Sequence, residues 1–368
     1  MIKYLGSKRL LVPDILRMVA CFGGARRVLD LFSGTARVGH ALKRGGYDVV
    51  ANDNAAFAHT LARCYVQADR ARVIDEVGRR LEELRRVPPA PGYFTETFCE
   101  RARFFHPRNG ARVDAMRERI AEWAGGGRGG AGDGSGGGLD GDVEAVLLVA
   151  LMEAADRVDS TTGVQMAYLK QWAPRALREL ELRLPRVLDG PGTALGLDAL
   201  EAAAAVEADV AYLDPPYNQH SYLGNYHVWE TLVRWDDPEV YGVACKRLDT
   251  RARASRFNSR RRAAEAFADV VAAVRAPRLL VSFSDEGFLA RDWLEGLLAE
   301  RGHLVVAPID YKRYVGAQIG IHDRRGRKVG RVSHLRNTEY LYAVTPDRAE
   351  AEALAEMVVA RDGATQRG

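Results

Sequence analysis

The chain has 368 residues, 47% hydrophobic and 28% charged, enough apolar surface for a real core and too much for a wholly disordered chain. No run approaches the roughly 18 consecutive apolar residues of a membrane-spanning helix, and Met1 to Lys8 turns polar before any apolar signal core forms, so neither an anchor nor a secretory leader is expected. Net charge is only +4, which says nothing of partners; Cys21, Cys64, Cys99 and Cys245 stand singly, without the C-x-x-C pairs of a zinc ligand set, and fit a reducing cytoplasm.

Arg27 to Phe32 is an apolar run that predicts a buried strand. Ser33-Gly34-Thr35 is a turn, and a helix follows to about Arg44, where Gly45-Gly46 stops it. Tyr47 to Ala51 is the next strand, with Asn52-Asp53 at its end. Residues 61–189 change character, with many Arg and Glu at helical spacing. The helix candidates there are Glu96–Phe105, Ala111–Trp123, Val143–Val158 and Ala176–Leu184. Among them, Gly125–Gly138 has ten glycines in fourteen residues and nothing able to pack, so it reads as a disordered tether. After Gly190 the α/β rhythm returns: strand Thr193–Leu197, helix Asp198–Val206, strand Asp209–Leu213, strand Arg278–Phe283, helix Gly287–Arg301 and strand His303–Ile309. Thr338–Thr345 is expected to close the sheet, and a polar helix that frays to run from Pro346. The organisation expected is a catalytic α/β part over 1–60 and 190–345, a helical insertion over 61–189 with its tether at 125–138, and a polar tail over 346–368.

Charge is uneven. Lys246–Arg262 and Lys312–Arg336 each hold eight basic residues and one acid. One such run is ordinarily a solvated loop; two in one half of a near-neutral chain favour a polyanionic partner.

Two turns carry chemistry. In Asp30-Leu31-Phe32-Ser33-Gly34-Thr35-Ala36 a glycine turn leaves a strand's carboxyl end and enters a helix, the place where α/β sheets bind nucleotides. Gly39 falls inside the helix, so G-x-G-x-x-G is absent, which argues against a dinucleotide. Asp53, 23 residues after Asp30, closes the next strand, where an acid can accept from both hydroxyls of a ribose. The second turn is Asp214-Pro215-Pro216-Tyr217. Two prolines end the strand ladder and stiffen the backbone, projecting the Asp214 carboxylate, the Pro215 carbonyl and the Tyr217 ring at one strand end. No nucleophile elbow or phosphate-binding loop motif occurs, and His220 and His227 lack a partner acid at metal-ligand spacing.

Asp-Pro-Pro-Tyr with an Asp-x-Phe-Ser-Gly-Thr turn far upstream resembles the amino-methyltransferases that use S-adenosylmethionine. Lys3-Tyr4-Leu5-Gly6-Ser7-Lys8 resembles the first motif of the Dam-like (D12 class, alpha group) DNA adenine-N6 methyltransferases, with Ser7 where a glycine is more usual. The order of motifs is also similar to that class. Tyr217-Asn218-Gln219-His220-Ser221-Tyr222-x-x-Asn225-Tyr226-His227-x-x-Glu230 and Ser282-Phe283-Ser284-Asp285-Glu286-Gly287-Phe288 resemble a branch found in restriction–modification systems. The resemblance covers most of residues 1–345 apart from the tether.

The resemblance implies a methyltransferase-type, Rossmann-like α/β fold, a mostly parallel sheet with a helical target-recognition insertion. It implies transfer of a methyl group from S-adenosylmethionine, without a metal, to adenine N6 in a specific duplex DNA sequence after base flipping, and a cognate restriction endonuclease as a candidate partner. Tyr4, Gly6 and Lys8 would line the cofactor pocket, Asp30, Phe32, Ser33 and Gly34 would wrap its methionine end, and Asp53 would hold its ribose. Asp198 either meets the cofactor adenine or caps the helix after it. Asp214, Pro215, Pro216 and Tyr217 would be catalytic. Tyr222, Asn225, Tyr226 and His227 either contact the flipped nucleotide or pack in the core. The rival readings are methylation of RNA adenine, of cytosine N4 (where Ser more often replaces Asp214), or a silent DNA-binding protein on the same fold.

Overall fold

The computed structural model describes residues 1–126, 138–166, 168, 171–312 and 336–365. Most of the glycine tether and nearly all of Lys312–Arg336 lie outside them. Nine strands occur among the described residues: β1 (Arg27–Asp30), β2 (Asp48–Asn52), β3 (Thr193–Leu195), β4 (Val210–Leu213), β5 (Val240–Tyr241), β6 (Lys246–Arg247), β7 (Arg278–Ser284), β8 (His303–Lys312) and β9 (Arg336–Thr345). The chain divides into two units.

The first unit comprises Met1–Val12, Arg26–Ala202 and His220–Ser255. Its strands run parallel in the order β3-β2-β1, with Arg27 opposite Asp48 and Val50 opposite Thr193. Val28, Leu29, Val49, Val50 and Ala51 are at most 1% exposed; such unbroken apolar runs mark strands covered on both faces. The helix Arg37–Arg44 makes the crossover between β1 and β2. The helical segment is centred on Gly141–Arg157, where twelve of 17 residues are buried, the mark of a helix surrounded by protein. Asp140 caps it, accepting from the Asp142 amide at 2.8 Å. A wide π turn at Arg63–Gln67 leaves carbonyls that the buried Lys43 ammonium satisfies, at 2.7 Å from Val66 O and 2.9 Å from Ala68 O. β5 and β6 form a small antiparallel hairpin.

The stretch Ala176–Leu184, expected as a helix, is not one. Only Pro174–Leu177 makes a 3₁₀ turn, and the chain then runs extended. Leu180 and Leu182 are buried while Glu179, Glu181 and Arg183 are exposed, a period of two rather than 3.6. Asn109 holds the segment open: its Nδ2 donates to Ala176 O and Arg178 O, and its Oδ1 accepts from the Leu180 amide. Arg70–Arg86, not among the predicted helices, is one, burying Val73, Val77, Leu81 and Leu84.

The second unit comprises Pro13–Ala25, Ala203–Gln219 and Arg256–Gly368. Here β4 runs parallel to β7, with Val210 opposite Arg278 and Leu213 opposite Val281, while β9 lies antiparallel to both β7 and β8. The expectation that Thr338–Thr345 closes the sheet therefore needs correcting: β9 is interior and β8 is the outer strand. Burial explains it. Leu341 to Thr345 are at most 1% exposed, as an interior strand requires, whereas β8 carries the exposed Pro308, a residue tolerated at an edge. The C-terminal helix, Arg348–Thr365, is anchored at its start: Glu350 accepts from Arg278 and from the Gly23 amide at 2.8 Å, and Leu354 is fully buried. Five of the seven strands outside the hairpin thus run parallel to a neighbour, which is the mostly parallel α/β class that the sequence implied.

Candidate active site

In the first unit, β1 delivers Asp30, 1% exposed, whose Oδ2 accepts from the Gly39 amide at 2.9 Å and so pins the crossover helix to the strand end. The turn between them passes through left-handed backbone at Gly34 (φ +50°) and Ala36 (φ +56°); glycine takes the first without steric cost. The Ser33 amide donates to Asn52 O at 2.9 Å and the Gly34 amide to Asp53 Oδ2 at 3.0 Å. Asp53 Oδ1 accepts from the Ala55 amide at 3.0 Å. Burial pushes the Asp53 carboxyl up to about 6; the Ala55 and Gly34 amides oppose the shift and nearby Glu230 adds to it. Ser33 Oγ is buried and takes part in no hydrogen bond among the described residues. Phe32 is half-buried within the turn.

The amino-terminal motif packs on the same unit. Tyr4 stacks on two rings, with centroids 4.7 Å from Tyr226 and 5.1 Å from Tyr222 and the ring planes nearly parallel. The Leu5 amide donates to the Tyr226 hydroxyl at 2.5 Å. Gly6 has φ +73°, and a Cβ there would come within 3.0 Å of the Tyr222 hydroxyl; a Cβ on Gly34 would come within 3.4 Å of the Tyr4 ring. Lys8, 7% exposed, opens a 3₁₀ turn. Lys3, which sequence reasoning gave no role, anchors the strip: its Nζ donates to Asp159 Oδ1 at 2.8 Å and to Asp156 O at 2.5 Å. Tyr4, Gly6, Gly34 and Asp53 thus belong to one connected group, and Asp30 opens the turn that carries Gly34.

Asp198 is exposed and caps the helix Ala199–Ala205, accepting from the Leu200 amide at 2.9 Å. Its neighbour Leu197 is tied to the end of β2 twice: Asn52 Nδ2 donates to Leu197 O at 3.2 Å and the Leu197 amide donates to Asn52 Oδ1 at 3.0 Å. Of the alternatives for the segment after Tyr217, the core reading holds for Tyr226 and His227, at 1% and 0% exposure. His227 lies between Gly224 O and Ala244 O, and burial pushes its imidazole down to about 4.

In the second unit, Val210 to Leu213 are all buried and β4 ends at the half-buried Asp214. Ser282 Oγ donates to Asp214 Oδ1 at 2.9 Å, and the Tyr212 hydroxyl lies 2.9 Å from Ser282 Oγ. Pro215 is buried, Pro216 half-buried. Tyr217 O accepts from the Phe288 amide at 2.8 Å, and the Tyr217 ring meets Phe283 edge to face at 5.8 Å. Asn258 Nδ2 donates to Asn218 O at 2.7 Å, tying down the next residue.

In the run Lys246–Arg262 several arginines are taken up by acids of the protein itself. Arg247, 1% exposed, forks onto Asp236 at 2.6 and 2.7 Å and onto Asp249. Arg253 pairs with the fully buried Glu230, and Arg256 with Asp269. Arg260, Arg261 and Arg262 are exposed. Among the described residues, no group of three or more His, Cys, Asp or Glu side chains is disposed to hold a metal ion, and no helix is long and apolar enough to cross a membrane.

Known proteins resemble this chain over most of its length. Modification methylase StsI of Streptococcus sanguinis is 27% identical over 329 residues, 85% of this chain and 48% of its own length. Type II methyltransferase M.NlaIII of Neisseria lactamica is 27% identical over 77% of this chain and 83% of its own. Type II methyltransferase M.CviAII of Paramecium bursaria Chlorella virus 1 is 26% identical over 85% of this chain and 92% of its own. The chain therefore spans about half of the StsI methylase and most of the other two. The family model for D12 class N6 adenine-specific DNA methyltransferases matches residues 4–274, from the Tyr4 motif through the glycine turn and Asp214–Tyr217, and the chain belongs to that family.

Proposed function

We propose that this chain methylates adenine N6 within a specific duplex DNA sequence, with S-adenosylmethionine as methyl donor. The Asp214–Tyr217 turn carries the reading: at the carboxyl end of β4 it combines a carboxylate held by a buried hydroxyl, a stiff two-proline backbone and an aromatic ring edged by Phe283. When bound, S-adenosylmethionine supplies a sulfonium methyl that is already activated. What remains for the protein is positioning and electrostatics.

The glycine turn suits such a ligand. Ser33 Oγ is a buried polar atom without a hydrogen bond among the described residues, in a turn lined by two acids; buried polar groups are normally paired, and a polar ligand would pair this one. In this reading Tyr4, Gly6 and Lys8 line the pocket, Asp30, Phe32, Ser33 and Gly34 take the methionine end, Asp53 takes the ribose and Asp198 the adenine. The target amine is a poor nucleophile because its lone pair is delocalised into the purine. Asp214 and the Pro215 carbonyl accept hydrogen bonds from it and favour a tetrahedral nitrogen, with Pro216 fixing the backbone. Tyr217 offers a face to a base taken out of the duplex. Residues 61–189 serve target recognition, and residues 1–60 with 190–345 form the catalytic part. The relatives' names, modification methylase and type II methyltransferase, support a cognate endonuclease as partner. A DNA substrate and four free cysteines fit work in the cytoplasm.

The test is sequencing with modified-base detection on DNA from a host expressing the protein. We expect N6-methyladenine at one position of one sequence context. Methyl groups on cytosine N4 or on RNA would replace the proposed substrate. No transfer to any substrate would leave a silent DNA-binding protein.

A further inference from the structure

The segment Ser282–Phe288 stands out in the sequence, and beyond the contacts of Ser282 and Phe283 with the Asp214–Tyr217 turn the scheme above gives it no part in the reaction. Its position explains it. β7 runs parallel to β4 with Leu213 opposite Val281, so the next residues on the two strands, Asp214 and Ser282, come side by side. Three contacts then join the segment to the catalytic turn. Ser282 Oγ bonds Asp214 Oδ1 at 2.9 Å, the Phe283 ring edges Tyr217 at 5.8 Å, and the Phe288 amide donates to Tyr217 O at 2.8 Å. Behind Ser282 lies the Tyr212 hydroxyl at 2.9 Å, and both side chains are within 1% of complete burial.

The direction of these hydrogen bonds follows from proton counting. An ionised carboxylate only accepts, so the Ser282 hydroxyl must direct its one proton to Asp214. Ser282 Oγ can then only accept from Tyr212, whose hydroxyl must donate. The chain runs Tyr212 O–H to Ser282 O–H to Asp214 carboxylate, each donor polarising the next in a buried setting.

We propose that Ser282, backed by Tyr212, is a positioning residue for methyl transfer. It fixes the rotation of the Asp214 carboxylate and favours its ionised form, while Phe283 and Phe288 hold Tyr217. This deepens the functional reading above and rests on Asp214 being the group that accepts from the target amine.

The test uses the full chain in single-turnover transfer from radiolabelled S-adenosylmethionine to duplex DNA bearing the target sequence, as a function of pH. Losing one hydrogen bond to a charged group corresponds to about 10- to 100-fold in rate. Ser282→Ala should therefore slow transfer by about that much while dissociation constants for cofactor and DNA stay within about two-fold. Its acid limb should move to higher pH, because the donor that favours the ionised carboxylate is gone. Tyr212→Phe, which removes one hydroxyl and keeps the ring, should move rate and acid limb in the same direction by less, and it decides the matter should Ser282→Ala not fold. Parental rate and an unmoved acid limb in the folded variants overturn the inference. So does a slower rate with an unmoved acid limb and weakened ligand binding, which would be a merely structural effect. Asp214→Asn at the parental rate would instead overturn the reading of Asp214 itself.

Discussion

The two strand ends that carry the candidate residues, one in each unit, are built on opposite plans. At the end of β1 the backbone bends through left-handed conformations at Gly34 and Ala36, and its amides are held by the carboxylates of Asp30 and Asp53. At the end of β4 two prolines fix the backbone and offer no amide N–H at all, and a hydroxyl, that of Ser282, donates to Asp214. The first plan sets backbone donors and carboxylate acceptors around one turn. The second aims one carboxylate and gives it little freedom. The contrast teaches where each end should act: the glycine turn on affinity, the proline turn on rate.

The sharpest break would come from Asp214→Asn, which keeps the shape and loses the charge. An electrostatic contact made mainly in the transition state is worth about 2.7–4 kcal/mol, so the single-turnover rate should fall on the order of 100- to 1000-fold with cofactor affinity unchanged. Asp53→Ala should show the opposite pattern. Calorimetry should find S-adenosylmethionine binding weaker by about 1.5–3 kcal/mol, with the rate at saturating cofactor nearly kept; unchanged affinity would remove Asp53 from the ribose.

A gentler probe of the same contrast is pH. The Asp53 carboxyl is raised to about 6, so below that value it is largely neutral and accepts poorly. Cofactor affinity should rise as pH climbs through about 6, and that step should vanish in Asp53→Ala. The sign for stability is reversed. A raised folded-state value favours the fold below the ordinary carboxylate range and loses that contribution as pH passes about 6, so thermal melts of the ligand-free protein should show Asp53→Ala gaining relative to the parent above that pH. The smallest effect is expected from Arg260, Arg261 and Arg262, which are exposed. Replacing all three should weaken DNA binding alike for all sequences and flatten its salt dependence by about 0.9 for each phosphate that is no longer neutralised. An unaltered slope would make them a solvated turn.

Both turns could be read from sequence because each is local: a glycine or a proline pair at the end of an apolar run fixes the backbone within a few residues. What could not be read depends on partners far along the chain. Ser282 reaches Asp214 across 68 residues, and Lys3 reaches Asp159 across 156. The pairing within the run Lys246–Arg262 was not legible because Asp236, Glu230 and Asp269, which take up Arg247, Arg253 and Arg256, lie outside it. Ala176–Leu184 looked helical because its Glu and Arg suit a helix, yet its leucines alternate, and Asn109 makes the extended form the satisfied one. The helix Arg70–Arg86 was readable from Val73, Val77, Leu81 and Leu84 alone.

Asn52 has a chemical consequence of its own. Its side-chain amide donates to Leu31 O and Leu197 O and accepts from the Leu197 amide, so it imitates a peptide group and extends the end of β2 toward Asp198. A carboxamide supplies the two donors and the acceptor that these three contacts need. Deamidation, the slow loss of ammonia by which asparagines age, would leave a carboxylate facing two carbonyl oxygens and turn these contacts into repulsion at the rim of the glycine turn. That reaction begins with attack by the next residue's backbone nitrogen, and the Asp53 amide is tied to Leu195 O at 3.1 Å while Asn52 is only 1% exposed, so the fold that uses this amide also hinders its ageing.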